Sequence, residues 1–375
     1  MAGKRIEAGK TLLFIDEIQT CPEAIMSLRF FKEDMPELHV IAAGSLLEFA
    51  LHELPTFGVG RIHSVFMYPM TFDEFLIANG DNLLLEARNQ ASAADPLPLP
   101  LHEKLVTLLR TYMLVGGMPE CVAKWVETHD YLLCQEILDD IIISYEDDFP
   151  KYKKKVDVTL LRHTLRSAAI QATKKFVYSQ VGDYKTVDVK HALEMLIRAG
   201  ILIPVTHTNA NGLPLGCEAD HSYQKILLLD CALMLRIMGM TNGDSTSITT
   251  QVLTATATDL VNKGTIAELI AGLELLHYKT PNIRHEMFYW VRQSKNSQAE
   301  IDYLQPYNQK ILPIEIKAGT QGGMKSLWMF MREKHLTEAV CCSLENFGTL
   351  EYIDKEDNNA VRHVRICPLY AMSQL

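Results

Sequence analysis

The chain has 375 residues, 48% of them hydrophobic and 22% charged, which is ordinary for a globular protein with room for two or three domains. A formal charge of −10 and a pI near 5.7 exclude a surface that coats nucleic acid as a whole, so any such contact must be local. There is no apolar run long enough to span a membrane, and charges stand where a signal peptide would be apolar, so a cytoplasmic protein without a membrane partner is expected.

The first element is "GKTLLFIDEIQ". A phosphate-binding loop needs GxxxxGK[ST], so that backbone N–H groups can curl around phosphates ahead of a helix. Gly9-Lys10-Thr11 lacks the early glycine: Lys4 holds that place, with Gly3 one position too soon, and an apolar run follows. The tripeptide therefore reads as a turn into a buried strand, Leu12 to Ile15. Asp16 and Glu17 at its end match a Walker B pattern, Asp16 holding Mg²⁺ and Glu17 orienting a water. A core strand followed by an exposed acid pair has the same appearance. A second buried strand is expected over Val40 to Ala43, and its exit, Gly44-Ser45, places a sensor hydroxyl on Ser45. Arg61 follows Gly60 ahead of the Phe-rich helix start in "YPMTFDEFL".

Leu83 to Pro100 turns from helical to Ala/Ser/Pro-rich and reads as a surface loop. "EKLVTLLRTYMLVGGMPECVAKWVE" and "YLLCQEILDDIIISYEDDF" carry apolar residues at helical spacing and read as a lid-like bundle. The charge then inverts. Tyr131 to Pro150 holds six acids and no Lys or Arg, whereas Lys151 to Lys190 holds ten Lys or Arg and three Asp.

Within this basic window two helices are expected, the second capped by Thr186. "ILIPVTHTNANGLPLG" reads as two short strands joined by an Asn-Gly turn. Helix, helix and hairpin make a winged-helix arrangement. It could meet DNA phosphates through Lys151, Lys153, Lys154, Lys155, Lys174 and Lys175, or dock a protein partner instead.

Near the C-terminus "AEIDYLQPYNQKILPIEIKAG" reads as a hairpin. Glu315 and Lys317 share one strand face, Ile314 and Ile316 the other. Even-with-odd pairing would bring Asp302 to the face of Glu315. Two carboxylates and an ammonium there form the chemistry of PD-(D/E)xK nucleases, in which acids such as Asp302 and Glu315 hold a metal and the lysine stabilises charge. Glu268, in "GTIAELIAGLELL", occupies the place of that fold's first-helix acid. The bland alternative is a solvated Glu315–Lys317 ion pair. The eight cysteines show no zinc spacing and read as buried thiols, Cys341 and Cys342 among them.

Several of these segments, in this order, resemble the AAA-type ATPases of bacteria and archaea that carry a C-terminal domain of unknown function 4143. The "LLFIDEIQ" strand, the "GS" exit, the "GR", "PMTFDEF", "YMLVGGMPECV", "KKFVYSQV", "ILLLDCALMLRIMG" and "AEIDYL…ILPIEIKAG" carry the resemblance. It implies an α/β plus α+β chain: an ATPase core remnant over 1–82, a helical lid over 101–150, a winged-helix-like region over 151–216 and a restriction-endonuclease-like domain over 217–375. It also implies use of ATP and Mg²⁺, with Asp16, Glu17, Ser45 and Arg61 in the ATPase roles. The family has a strand and P-loop ahead of the Walker B strand, and the eleven residues before Leu12 are too few for them. The Walker A loop is therefore expected to be missing from this chain, and ATP binding to be impaired. The other readings are a metal-dependent nuclease with the ATPase part as scaffold, and a non-catalytic docking module.

Overall fold

The structure is a computed structural model that describes residues 6–44, 60–152, 156–242, 263–292, 299–317 and 323–375. Gly9, at φ +69°, turns the chain into β1 (Leu12–Ile15). β1 pairs in parallel with β2 (His39–Ala42), Leu12 against His39 and Ile15 against Ala42, and α1 (Pro22–Asp34) makes the crossover. The expectation of buried strands is corrected. Leu12 and Phe14 are 55% and 56% exposed and Ile41 51%. A parallel strand is buried when both sheet faces are covered. Here Leu13, Ile15 and Val40 are half-buried on one face, and no described residue buries the other.

α2 (Phe72–Ala78) starts on a capping box: Thr71 Oγ1 accepts the Glu74 N–H, and the Glu74 carboxylate accepts the Thr71 N–H. α3 (Asn82–Gln90) takes up half of the stretch read as a loop. In the remainder Leu97 is buried, and its carbonyl accepts Asn346 Nδ2. α4 (Leu99–Val115), α5 (Pro119–Thr128) and α6 (Tyr131–Asp148) make the expected helical bundle. Their apolar stripes, such as Leu105, Leu109 and Tyr112 on α4, enter the main core.

α7 (Val158–Ile170) is capped by Asp157, whose carboxylate accepts the Thr159 and Leu160 N–H groups, and packs on α8 (Thr186–Arg198). Lys185 is the N-cap of α8 and its side chain makes no capping hydrogen bond; Thr186 is already helical, which corrects the expected Thr cap. β3 (Leu202–Thr208) pairs antiparallel with β4 (Ala219–Leu228). Asn211-Gly212 lies in a long connection between them, so the second strand begins later than expected. Pro214 has no N–H to give a ladder, and pairing resumes only at Ala219, opposite Thr208.

One eight-stranded sheet, in the order β4-β3-β5-β6-β7-β8-β10-β9, organises the rest. Its further strands are β5 (Met287–Val291), β6 (Glu300–Tyr307), β7 (Lys310–Ile316), β8 (Glu338–Ser343), β9 (Gly348–Asp354) and β10 (Ala360–Pro368). β6 runs antiparallel to both β5 and β7, whereas β7, β8 and β10 are mutually parallel. The helices packed on it are α9 (Cys231–Asn242), α10 (Lys263–His277) and α11 (Lys325–Glu333). Leu269 and Leu273 of α10 share a core with Ile314 and Ile316, while Leu327, Phe330 and Met331 of α11 share a second one with Ile301, Leu304 and Cys341. Covered on both faces, β7 is buried from Ile311 to Ile316, Glu315 included.

The "GGMPE" and "LLLDCAL" segments meet in a clamp. The buried Asp230 carboxylate accepts the Ala232 and Leu233 N–H groups at the start of α9, and also the Gly117 N–H. A Cβ on Gly117 would fall 2.1 Å from the Met70 carbonyl oxygen, so the close approach requires glycine. The Met70 N–H donates to the Gly117 carbonyl, and the Phe72 N–H donates to the Glu274 carboxylate at 3.0 Å. These motifs therefore bind the segment before α2 to the helices around the sheet.

Candidate functional site

On the α10 side of the sheet Glu268, Glu300 and Asp302 each turn one carboxylate oxygen inward, all within 4.8 Å of one another. Glu268 comes from α10, whose carbonyl at the same residue accepts the Tyr303 hydroxyl at 2.7 Å, and the two others come from β6. Into the middle reaches Lys225 of β4, only 1% exposed. Its ammonium lies 2.7 Å from Glu268 and 3.8 Å from Asp302, is ion-paired to Glu300, and passes 4.8 Å from the Tyr289 ring centroid.

Glu315 and Lys317 form a separate pair at 2.5 Å. Glu315 stands opposite Cys341, a residue of the α11-side core, and its Oε2 is buried with no hydrogen-bond partner among the described residues. The even-with-odd pairing expected of the hairpin is present, Tyr303 opposite Ile314 and Leu304 opposite Pro313, while on its other edge β6 carries a bulge. Phe288 pairs with Leu304 and Trp290 with Ile301, so Asp302 and Tyr303 together oppose Tyr289. Asp302 turns its carboxylate between the two groups: Oδ2 accepts the Ile316 N–H at 2.7 Å and Oδ1 faces Lys225.

Burial dominates the electrostatics. It raises the Glu268 carboxyl to about 8 against the opposing pull of Lys225, and with the nearby Asp302 charge it raises Glu315 to about 7. Asp302 is also raised by burial, despite Lys225 and the Ile316 N–H. For Lys225 burial works against the charge, yet Glu268, Asp302 and Glu300 outweigh it and hold the ammonium more basic than an ordinary lysine. Three hard oxygen donors in this arrangement suit Mg²⁺ or Mn²⁺.

Neither Lys225 nor Glu300 was singled out by sequence. Glu300 had a readable signal, since it stands two residues before Asp302 on a strand. Lys225 had none; only the pairing of β4 through β3 to β5 brings it near.

At the other end of the chain Asp16 and Glu17 are exposed at the carboxyl end of β1. Asp16 Oδ1 accepts the Glu17 N–H at 3.0 Å, and Glu17 accepts Gln19 Nε2 at 2.6 Å. Arg61 forms an exposed ion pair with Glu33 at 2.6 Å. Ser45 lies outside the described residues, as do Lys153, Lys154 and Lys155, and of Lys151 only the backbone is described. Lys174 and Lys175 are exposed, Lys175 with its ammonium 3.1 Å from the Tyr223 ring centroid.

Comparison with known families places an AAA domain over residues 1–76. The domain of unknown function 4143 matches residues 263–362, and a further domain of unknown function, 8612, matches residues 106–244. The chain thus pairs an N-terminal AAA domain with a C-terminal domain of unknown function 4143, the pairing of the AAA-type ATPase family that its motifs resemble. AAA domains as a class use ATP and Mg²⁺. No curated protein and no solved structure matches the chain. Among the described residues no helix is long and apolar enough to cross a membrane.

Proposed function

We propose that this AAA-type ATPase homologue carries, in its C-terminal half, a nuclease-like domain that binds a divalent cation and acts on nucleic-acid phosphodiesters. The observation that carries the reading is the meeting of Glu268, Glu300 and Asp302 one strand away from the Glu315–Lys317 pair. The order α10, β5, β6, β7, α11, β8, with β6 antiparallel to its neighbours, supports a restriction-endonuclease-like fold. Glu268, Glu300 and Asp302 would hold the cation, with the Glu315 oxygen that has no partner among the described residues within reach of Asp302's field. Such a cation supplies charge stabilisation at a phosphoryl oxygen and a more acidic water. Lys317 offsets the charge of Glu315 beside it. α7, α8 and the β3–β4 hairpin support a winged-helix reading, which would bring duplex DNA to the basic window from Lys151 to Lys190.

The test uses Mn²⁺ and Mg²⁺ with the full chain. Millimolar Mn²⁺ should raise the melting temperature of the wild type and not that of Asp302→Ala, and Mg²⁺-dependent DNA cleavage should vanish in both Asp302→Ala and Lys317→Ala. An identical thermal response of wild type and Asp302→Ala to Mn²⁺ would overturn the metal site. Mn²⁺ binding without cleavage would remove the nuclease activity and leave a metal-stabilised module.

A further inference from the structure

Lys225 lies outside the helix-and-strand set that supplies the acids, yet its ammonium is the cation that the acids hold. β4 is separated from β6 by β3 and β5, and the lysine side chain reaches in from the edge of the sheet, under the face of Tyr289. It contacts Glu268, Glu300 and Asp302, the same three residues whose oxygens converge within 4.8 Å. With 1% exposure its side chain is enclosed, so its charge is directed at these acids and hardly at water.

We propose that Lys225 is a built-in competitor of the divalent cation, so that the carboxylate site loads metal only when the ammonium withdraws. The inference rests on the metal reading of the preceding subsection. Mg²⁺ or Mn²⁺ binds carboxylate oxygens at roughly 2.0–2.2 Å. An ion at that distance from Glu268 and Glu300 would lie close against an ammonium bonded to the same groups, and two cations held so near each other repel strongly. Electrostatics favours the exchange only partly. The lysine neutralises one of the negative charges and is covalently tethered, so it holds the site at every metal concentration, whereas the free ion must be concentrated enough to displace it. A site arranged in this way is silent at low metal, and its half-buried acids are never left without a countercharge.

Binding of Mn²⁺ to the full chain, followed by the electron paramagnetic resonance signal of the free ion, reads this directly. Lys225→Met should bind one Mn²⁺ at least tenfold more tightly than wild type. Lys225→Arg, which restores the charge, should return the affinity to within about threefold of wild type, and adding Asp302→Asn to Lys225→Met should abolish the gain. Because Lys225→Met exposes the fold to uncompensated acids, a second measurement needs no variant. Acetylation of Lys225 by an amine-reactive ester, read by mass spectrometry on wild type, should rise severalfold when Mn²⁺ is added. Equal Mn²⁺ affinities for wild type and Lys225→Met, both lowered by Asp302→Asn, would overturn the competition and leave the metal site standing. Unchanged Lys225 acetylation at saturating Mn²⁺ would do the same. Absence of Mn²⁺ binding from wild type and Lys225→Met alike would overturn the metal site, and the competition with it.

Discussion

The Asp230 carboxylate accepts the backbone N–H of Gly117 at 2.7 Å, joining two segments that are 113 residues apart in the chain. The same carboxylate holds the first N–H groups of α9. Asp230→Ala would leave three buried N–H groups without their acceptor, and a loss of about 3 kcal/mol is expected from the cost of unsatisfied buried donors. Asp230→Asn, which keeps an acceptor oxygen, should lose less. Gly117→Ala should cost at least as much as Asp230→Ala, since its methyl would meet the Met70 carbonyl. Urea unfolding of the three variants checks the order; an Asp230→Ala chain as stable as wild type would show that the clamp carries no load.

Glu274 gives the chain a pH-dependent stability. Burial raises its carboxyl from the usual 4.5 to about 8, although the Phe72 N–H donates to it. A folded-state value above the unfolded one means that the folded protein binds the proton more tightly. The contribution is therefore complete below about pH 4.5 and is lost as pH rises toward 8. Glu274→Gln, which keeps the acceptor for Phe72 and cannot ionise, should flatten the fall in melting temperature between pH 5 and 8. An unchanged slope in that variant would place the titration elsewhere.

Much of the helical architecture was legible, because α4 through α8 each carry an apolar stripe at helical spacing and the stripe alone dictates which side is buried. Burial of β1 was not legible. "LLFI" is apolar whether or not a neighbour covers Leu12 and Phe14, and coverage depends on other elements. The site divided in the same way. Glu268 and Asp302 stood out as acids in the right kinds of element, and the structure brings them together. The bulge at Asp302 adds one residue on the β5 edge of β6 only, and no count along β6 reveals it. Lys225 sits in "YQKILLL", which is an ordinary strand on local pattern, and its place among the acids depends on the pairing of β3 with β5, in which Val205 meets Met287.

Residues 1–375 contain no GxxxxGK[ST] pattern, and a P-loop lysine with its backbone nest supplies most of the phosphate contacts in the proteins that have one. The chain should accordingly bind Mg·ATP more weakly than micromolar, and Asp16→Ala should change that affinity little. Calorimetry that finds sub-micromolar affinity would mean that other residues cradle the phosphates.

For the basic window, DNA affinity should fall with salt at a log–log slope of roughly −4 to −5, as expected when four to six phosphates are neutralised. Changing Lys153, Lys154 and Lys155 to Ala should flatten the slope by up to about 3, and adding Lys174→Ala, at an exposed lysine, by about one more. A slope untouched by all four changes would assign this region to protein docking.

The sheet that continues from β4 to β9 bears on how the protein can be divided. Separating the chain between β4 and β5 would leave one piece ending on β3 and the other starting on β5, whose five residues are "MFYWV". Each piece would then present bare ladder groups along an apolar edge, the kind of template on which strange strands add. The second piece would also hold Glu268, Glu300 and Asp302 without the lysine that neutralises them. Halves produced separately should be poorly soluble alone and recover when co-expressed, because the sheet runs without a break across segments that match separate families.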